Sequence, residues 1–166
     1  MIWHVLEPMV TWAYNSSVSQ WVRASTWAVA ILEVLHLFGL IFLLGSALMI
    51  GLRCFGIALH RDAVGQVVRA WSPTMLAGLI LMTVTGGLIF SSGATRYVDS
   101  RSFQLKMSLY VMAVVVQTVI YTIALFKKDE DGPLGQTWTR FWMIIGGLAA
   151  LLWFGVGIAG RAIAFI

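Results

Sequence analysis

The sequence is short of charge, cysteine and histidine. Only 11% of its 166 residues are charged, against about 25% in an ordinary soluble domain, and 60% are hydrophobic. The single cysteine, Cys54, excludes an intrachain disulfide. No run of basic residues of the kind that binds nucleic acid is present. The composition therefore predicts an integral membrane protein whose partner is the lipid bilayer, not nucleic acid.

Long apolar runs account for the low charge. Each is close to the roughly 20 residues that a helix needs to cross a bilayer, and the predicted spans are about 27–52, 73–90, 102–126 and 138–162. The second span is predicted to begin at Ser72 and Pro73, because proline suits the first position of a helix. Short polar connections such as KKDEDGPLGQ make neighbouring helices antiparallel. We therefore predict an all-α membrane protein with an antiparallel four-transmembrane-helix bundle over residues 17–166.

Residues 1–16 are more polar than the spans and precede them. Apolar residues spaced by three and four predict a short amphipathic helix that lies in the membrane interface, at Ile2, Leu6, Met9, Val10 and Ala13. Ser17 and Gln20 have the spacing of a capping box. This spacing predicts a helix that starts at Ser17 and continues through the first span to Arg53.

The predicted topology follows from counting lysine and arginine on the two sides of the membrane. The side with the first and third connections carries six of the eleven, and the side with both termini carries five. The positive-inside rule then places both termini outside.

Two ionisable residues, Glu33 and His36, lie inside the first apolar run. Measured from Trp27 at 1.5 Å per residue, they are roughly 9 and 13 Å deep. Their spacing of three places them on one face of the helix. Because ionisable groups at such depth are costly unless paired or liganded, they indicate a functional site. The other histidines, His4 and His60, fall at or beyond the membrane edges.

Two further cationic residues are predicted at the same side of the membrane. Lys106 lies roughly 6 Å deep if the third span begins near Ser102, and Arg161 ends the fourth span within GIAGR. The candidate site therefore consists of Glu33, His36, Lys106 and Arg161.

The functional interpretation is that His36 is an axial ligand of haem iron, because imidazole is a common haem ligand. Glu33 would orient the ring or exchange its proton, and Arg161, Arg101 or Arg96 would pair with the propionates. No second histidine lies within a predicted span. The sixth coordination position of the haem iron would therefore be open, or it would be filled by a partner subunit or by a side chain of this chain, namely Lys106, Met82, Met107 or Met112. A CxxCH motif is absent, so the haem would be haem b.

Two other interpretations use the same residues. In the first, the chain is a non-catalytic accessory or assembly subunit of a membrane complex, and Glu33 and Lys106 form a structural ion pair. In the second, it is a proton-coupled small transporter that uses Glu33 and His36. No inverted repeat or broken mid-span helix supports the transporter.

Two stretches carry a resemblance to known proteins. They are similar to small four-helix bacterial inner-membrane proteins, a group that includes HemJ-type protoporphyrinogen oxidases and CopD-type membrane domains. The stretches are LHLFGLIFLLGSALMIGLRCF in the first span and FQLKMSLYV in the third. The closing stretch LLWFGVGIAGRAIAFI most resembles the uncharacterised relatives in this group. The resemblance implies that His36 and Lys106 match the group's histidine and lysine, which are associated with haem.

The resemblance also implies a place and a type of function. It implies a multi-pass protein of the bacterial inner membrane, and the charge count then makes both termini periplasmic. The implied function is redox chemistry or electron transfer, alone or within a larger membrane complex with a redox partner. Whether the chain is an enzyme stays open.

Overall fold

The computed structural model describes residues 7–59, 61–126 and 136–162, and these residues form helices joined by short connections. In chain order the helices are α1 (Glu7–Asn15), α2 (Ser17–Ala24), α3 (Ala28–Cys54), α4 (Val64–Ser92), α5 (Ala94–Val98), α6 (Arg101–Phe126) and α7 (Gln136–Ala162). Residues 127–135 of the predicted KKDEDGPLGQ turn lie outside the described residues, as do His4 and His60, whereas Gln136 begins α7.

Four of the helices are long and apolar enough to cross a membrane. Their spanning portions are Ala28–Cys54, Val64–Ser92, Arg101–Phe126 and Arg140–Ala162. At 1.5 Å per residue these are roughly 35–44 Å long, which exceeds the ~30 Å hydrocarbon core. The predicted all-α, four-helix membrane fold is confirmed, and the chain is a multi-pass membrane protein.

The four long helices form a closed ring. α3 packs against α4, α4 against α6, α6 against α7, and α7 returns to α3. Leu43, Ile120 and Trp153 are buried at its centre, whereas large apolar side chains such as Ile41 and Leu151 are exposed on its outside. An apolar exterior is the surface that a bilayer requires. One end of the ring, which we call the α5 end, contains α5, the starts of α3 and α6, and the ends of α4 and α7.

Glycine permits a close backbone contact between α3 and α4. A Cβ added to Gly78 would lie 2.7 Å from the Gly39 carbonyl oxygen and 2.8 Å from the Leu43 nitrogen. The two backbones therefore touch, as in other membrane helix pairs with small residues at the crossing. This contact fixes the position of α4 relative to the helix that carries His36.

The second span begins earlier than predicted. α4 starts at Val64, where the Ala63 N–H donates to the Gln66 side chain at 3.3 Å, and it continues through Pro73. Proline inside a helix removes one backbone hydrogen bond. The helix nevertheless forms from Val64 because its first turns are packed, with Val64 and Val68 both buried in the bundle.

The predicted continuous helix from Ser17 to Arg53 is interrupted. α2 does begin at Ser17, with the Ser16 hydroxyl accepting from the Ser19 N–H, but it ends at Ala24. Ser25 has an extended backbone, and its hydroxyl accepts at 3.3 Å from the N–H of Ala28, the first residue of α3. The break lets α2 leave the line of the span and lie against α4.

The predicted interfacial helix corresponds to α1 over its described residues. Met9 and Trp12 are exposed, whereas Val10 packs against Ala94 and Val98 of α5. α5 itself lies between the predicted second and third spans, where no helix was predicted. The α1–α5 contact holds this short helix against the end of the bundle.

Candidate functional site

A cavity of about 420 Å³ lies at the α5 end of the bundle, and we call it the His36 cavity. Residues of α3, α4, α6 and α7 line it, together with residues of α5 and Ser100 just after it. The volume falls within the range of small-molecule sites. Three of the four predicted site residues, Glu33, His36 and Lys106, line this one cavity.

The His36 ring is held by a chain of hydrogen bonds to α4. Its Nδ1 lies 2.9 Å from the Thr85 hydroxyl oxygen, and that hydroxyl donates to the Leu81 carbonyl at 2.6 Å. If the hydroxyl proton goes to that carbonyl, the Thr85 oxygen accepts a hydrogen bond from Nδ1. In this tautomer the lone pair of the ring is on Nε2. Thr85 is only 2% exposed, so water does not compete for this bond.

Glycines make room for the His36 ring and for Lys106. A Cβ at Gly86 would lie 3.1 Å from His36 Cε1, closer than side chains normally pack. A Cβ at Gly160 on α7 would lie 3.4 Å from both Cε and Nζ of Lys106. Both functional side chains thus lie against bare backbone of a neighbouring helix.

Glu33 and Lys106 line the same cavity without forming the predicted ion pair. Within the described ranges no carboxylate oxygen lies within ion-pair distance of the Lys106 ammonium, and Glu33 is exposed on α3. Lys106 is half-buried and lies close enough to His36 for the two to interact electrostatically. The lysine therefore brings a basic nitrogen into the cavity.

The arginine at the cavity is Arg96, from α5. Arg161, predicted as a site residue, is exposed, makes an interaction of its own and is not part of the cavity lining. Arg101 is exposed and also lies outside the lining. Arg96 was one of three alternatives from the sequence, and the position of α5 selects it.

Three aromatic rings form one wall of the cavity. Phe90 and Phe103 stack at 5.2 Å between ring centroids with planes 12° apart, and Tyr97 lies 6.0 Å from Phe103. The rings come from α4, α5 and α6, so the wall exists only in the assembled bundle. Their spacing in the sequence carries no signal for it.

The protein groups around His36 do not suit a free metal ion. Among the residues that the structure describes, no group of three or more His, Cys, Asp and Glu side chains comes together. Of the other predicted second ligands, Met82 is buried against Gly39, and Met107 and Met112 lie outside the lining. Lys106 is thus the predicted second ligand that shares the cavity with His36.

Comparison with known proteins adds no assignment. No family model matches the chain, and neither a curated protein nor a solved structure is significantly similar to it. The function must therefore be argued from the cavity.

Proposed function

We propose that the chain is a membrane-embedded b-type haem-binding protein that takes part in electron transfer, alone or as a subunit of a membrane complex. The observation that carries this proposal is the His36 imidazole, whose Nδ1 is engaged by Thr85 and whose Nε2 is left as the lone-pair nitrogen in a cavity with an aromatic wall. One imidazole is a poor site for a bare ion, but it suits a macrocycle that brings four nitrogen donors of its own.

The other residues of the cavity fit the same group. Haem has a flat apolar face and two carboxylates at one edge. The stacked rings of Phe90, Tyr97 and Phe103 offer an apolar wall, and Arg96 and Lys106 offer two positive charges. Bound haem would supply an iron centre that gains and loses one electron.

The chain's own residues would then divide the remaining work. The Thr85 hydroxyl holds the His36 tautomer and ring plane, as outer-shell partners of ligating histidines usually do. Lys106 would supply a countercharge or a second ligand, and Glu33 would add a carboxylate to the lining.

The visible spectrum of the purified protein tests this proposal. The protein is expressed with 5-aminolevulinate to sustain haem synthesis, purified in mild detergent, and examined oxidised and reduced and by pyridine haemochrome. We expect a b-type Soret band that is lost in His36→Ala. His4→Ala and His60→Ala are matched controls, since they remove the other two histidines, and both should stay coloured. A folded wild-type protein without haem under these conditions would refute the proposal.

A second candidate is an accessory subunit of a membrane complex, and the exposure of Glu33 favours it. A carboxylate at hydrocarbon depth is costly when it faces lipid, and Glu33 is exposed with no ion pair in the described part of the chain. A cation on a partner helix would relieve this cost. Affinity purification after crosslinking should recover that partner from wild type and lose it in Glu33→Gln, whereas Glu7→Gln should keep it.

We also propose the bacterial inner membrane with periplasmic termini as the location. The support is the six-to-five distribution of lysine and arginine, with four spans placing both ends on one side. Alkaline phosphatase fused after residue 166 should be active and green fluorescent protein at the same point dark. The reverse pattern would invert the topology.

A further inference from the structure

A second cavity, of about 560 Å³, lies between α4 and α6 in the half of the bundle away from α5. It runs from Arg69 and Leu125 near the membrane surface to Leu79 and Val114 near the bilayer centre, roughly 15 Å along each helix. Trp153 of α7 lines its inner side. The cavity shares no lining residue with the His36 cavity.

Two polar side chains in this lining lack hydrogen-bond partners. Neither the Gln117 amide nor the Tyr121 hydroxyl makes a hydrogen bond within the described ranges, although the two lie one turn apart on α6. The hydroxyls of Ser72 and Thr118, in contrast, donate to carbonyls of their own helices at 2.6 and 2.8 Å. The unmet hydrogen-bonding capacity is therefore concentrated at one place in the cavity.

The depth of Gln117 restricts what can satisfy it. It lies nine residues before Phe126, roughly 13 Å along the helix from the membrane surface. An amide without a partner is strongly disfavoured in hydrocarbon. The ester and phosphate oxygens of phospholipids stay at headgroup level, above this position. A molecule whose polar head enters the hydrocarbon core would reach this amide.

We propose that this cavity binds a lipid-soluble quinone. A ring carbonyl would accept hydrogen bonds from the Gln117 amide and the Tyr121 hydroxyl, and the hydrocarbon tail would pass between α4 and α6 into the bilayer. At the outer end Arg69 donates from Nη1 to the Ala124 carbonyl at 2.9 Å, which ties α4 to α6 and sets the width of the opening. The ring and the tail together account for both the polar and the apolar parts of the lining.

Trp153 gives this cavity a further unmet donor. Its indole Nε1 is buried and has no acceptor among the described residues. Because the nitrogen is shielded by neighbouring atoms, a small shift of the indole would be needed before a bound carbonyl could reach it. The proposal therefore depends on Gln117 and Tyr121, and Trp153 only adds to the unmet capacity.

Photolabelling tests the site without reference to haem. The full-length chain in lipid nanodiscs is irradiated with an azidoquinone that carries an alkyl tail, and labelled peptides are identified by mass spectrometry. We expect saturable labelling of α4 and α6 peptides around Gln117, at least fivefold weaker with excess decylquinone but not with an alkylbenzene of equal tail length. Gln117→Leu and Tyr121→Phe should each lower labelling at least threefold.

The control and the contrary outcomes are equally specific. Thr122 lies on the same helix outside the cavity, and its hydroxyl donates to the Thr118 carbonyl. The control variant Thr122→Val should therefore label like wild type. Labelling that does not saturate, or that is equal in Gln117→Leu and wild type with both proteins folded by circular dichroism, would overturn the proposal. A photoactivatable phospholipid that labels the same peptides and competes equally would show a lipid groove instead. Loss of haem leaves each of these readouts unchanged, so the two proposals fail separately.

Discussion

His36 on α3 and Thr85 on α4 are joined by a 2.9 Å contact between Nδ1 and the hydroxyl oxygen, and the hydroxyl donates onward to the Leu81 carbonyl. The helix that carries the imidazole therefore does not set its orientation alone. The close crossing of α3 and α4 at Gly39 and Gly78 brings the two residues together. Mutations on α4 should consequently change ligand binding by His36.

Thr85→Val tests the orienting hydrogen bond directly. Valine keeps the shape but removes the hydroxyl that contacts Nδ1, so we expect haem affinity to fall about 10- to 100-fold, as for other outer-shell losses. The measurement is the rate and extent of haem transfer to apomyoglobin. Thr85→Ser keeps the hydroxyl and should behave like wild type; equal loss in both variants would mean that packing, not the hydrogen bond, is responsible.

Gly86→Ala tests the space beside the imidazole. The added methyl would lie 3.1 Å from His36 Cε1, so the ring must move away from its position against α4. We expect about tenfold weaker haem binding, which is ~1.4 kcal/mol and within the range for overpacking. Gly87→Ala is the matched control, because nothing lies within 4 Å of its added methyl. Retention of full haem content in both variants would contradict the placement of the ring.

Arg96→Gln and Arg161→Gln separate two of the three arginines that the sequence offers for carboxylate binding. Arg96 lines the cavity and Arg161 does not. Since Arg96 is exposed, its loss should weaken haem binding only about fivefold, near 1 kcal/mol. Haem dimethyl ester, in which both carboxylates are blocked, should bind with equal affinity to wild type and Arg96→Gln. A larger effect of Arg161→Gln than of Arg96→Gln would reverse the assignment.

Gly78→Ala tests the backbone contact between α3 and α4. Its methyl would lie 2.7 and 2.8 Å from backbone atoms of Gly39 and Leu43, which have little freedom to move. We expect the free energy of unfolding in detergent to fall by about 2 kcal/mol, the usual cost of overpacking. Gly45→Ala has open space around its methyl and should gain up to about 1 kcal/mol from helix propensity. Equal stability of the two variants would argue against the tight crossing.

The spans were predictable from the sequence because each is a long run of apolar residues, and hydrocarbon thickness sets a length that such runs reveal. The start of α4 was not, because Pro73 indicates a helix start locally while the buried valines before it extend the helix. The break at Ser25 was missed for a related reason. A serine that caps a new helix and one inside a helix look alike until the backbone direction is known.

Glu33, His36 and Lys106 were predicted as one site from depth alone, since antiparallel helices bring residues of equal depth to the same level. Arg96 and the aromatic wall depend on α5, a five-residue helix held by contacts with α1 and α6 that leave no periodic pattern. The Glu33–Lys106 ion pair was predicted from equal depth, but depth says nothing about which way a side chain points around the helix axis.

The ring of helices also has a consequence for biosynthesis. Of the four spans, α3 is made first and α7 fourth, yet the two are neighbours in the finished bundle, and Gly160 of α7 completes the wall beside Lys106. The His36 cavity therefore stays open on one side until α7 has been made and inserted. A group loaded into it before that point would be enclosed by α7, and one loaded later must enter the assembled bundle.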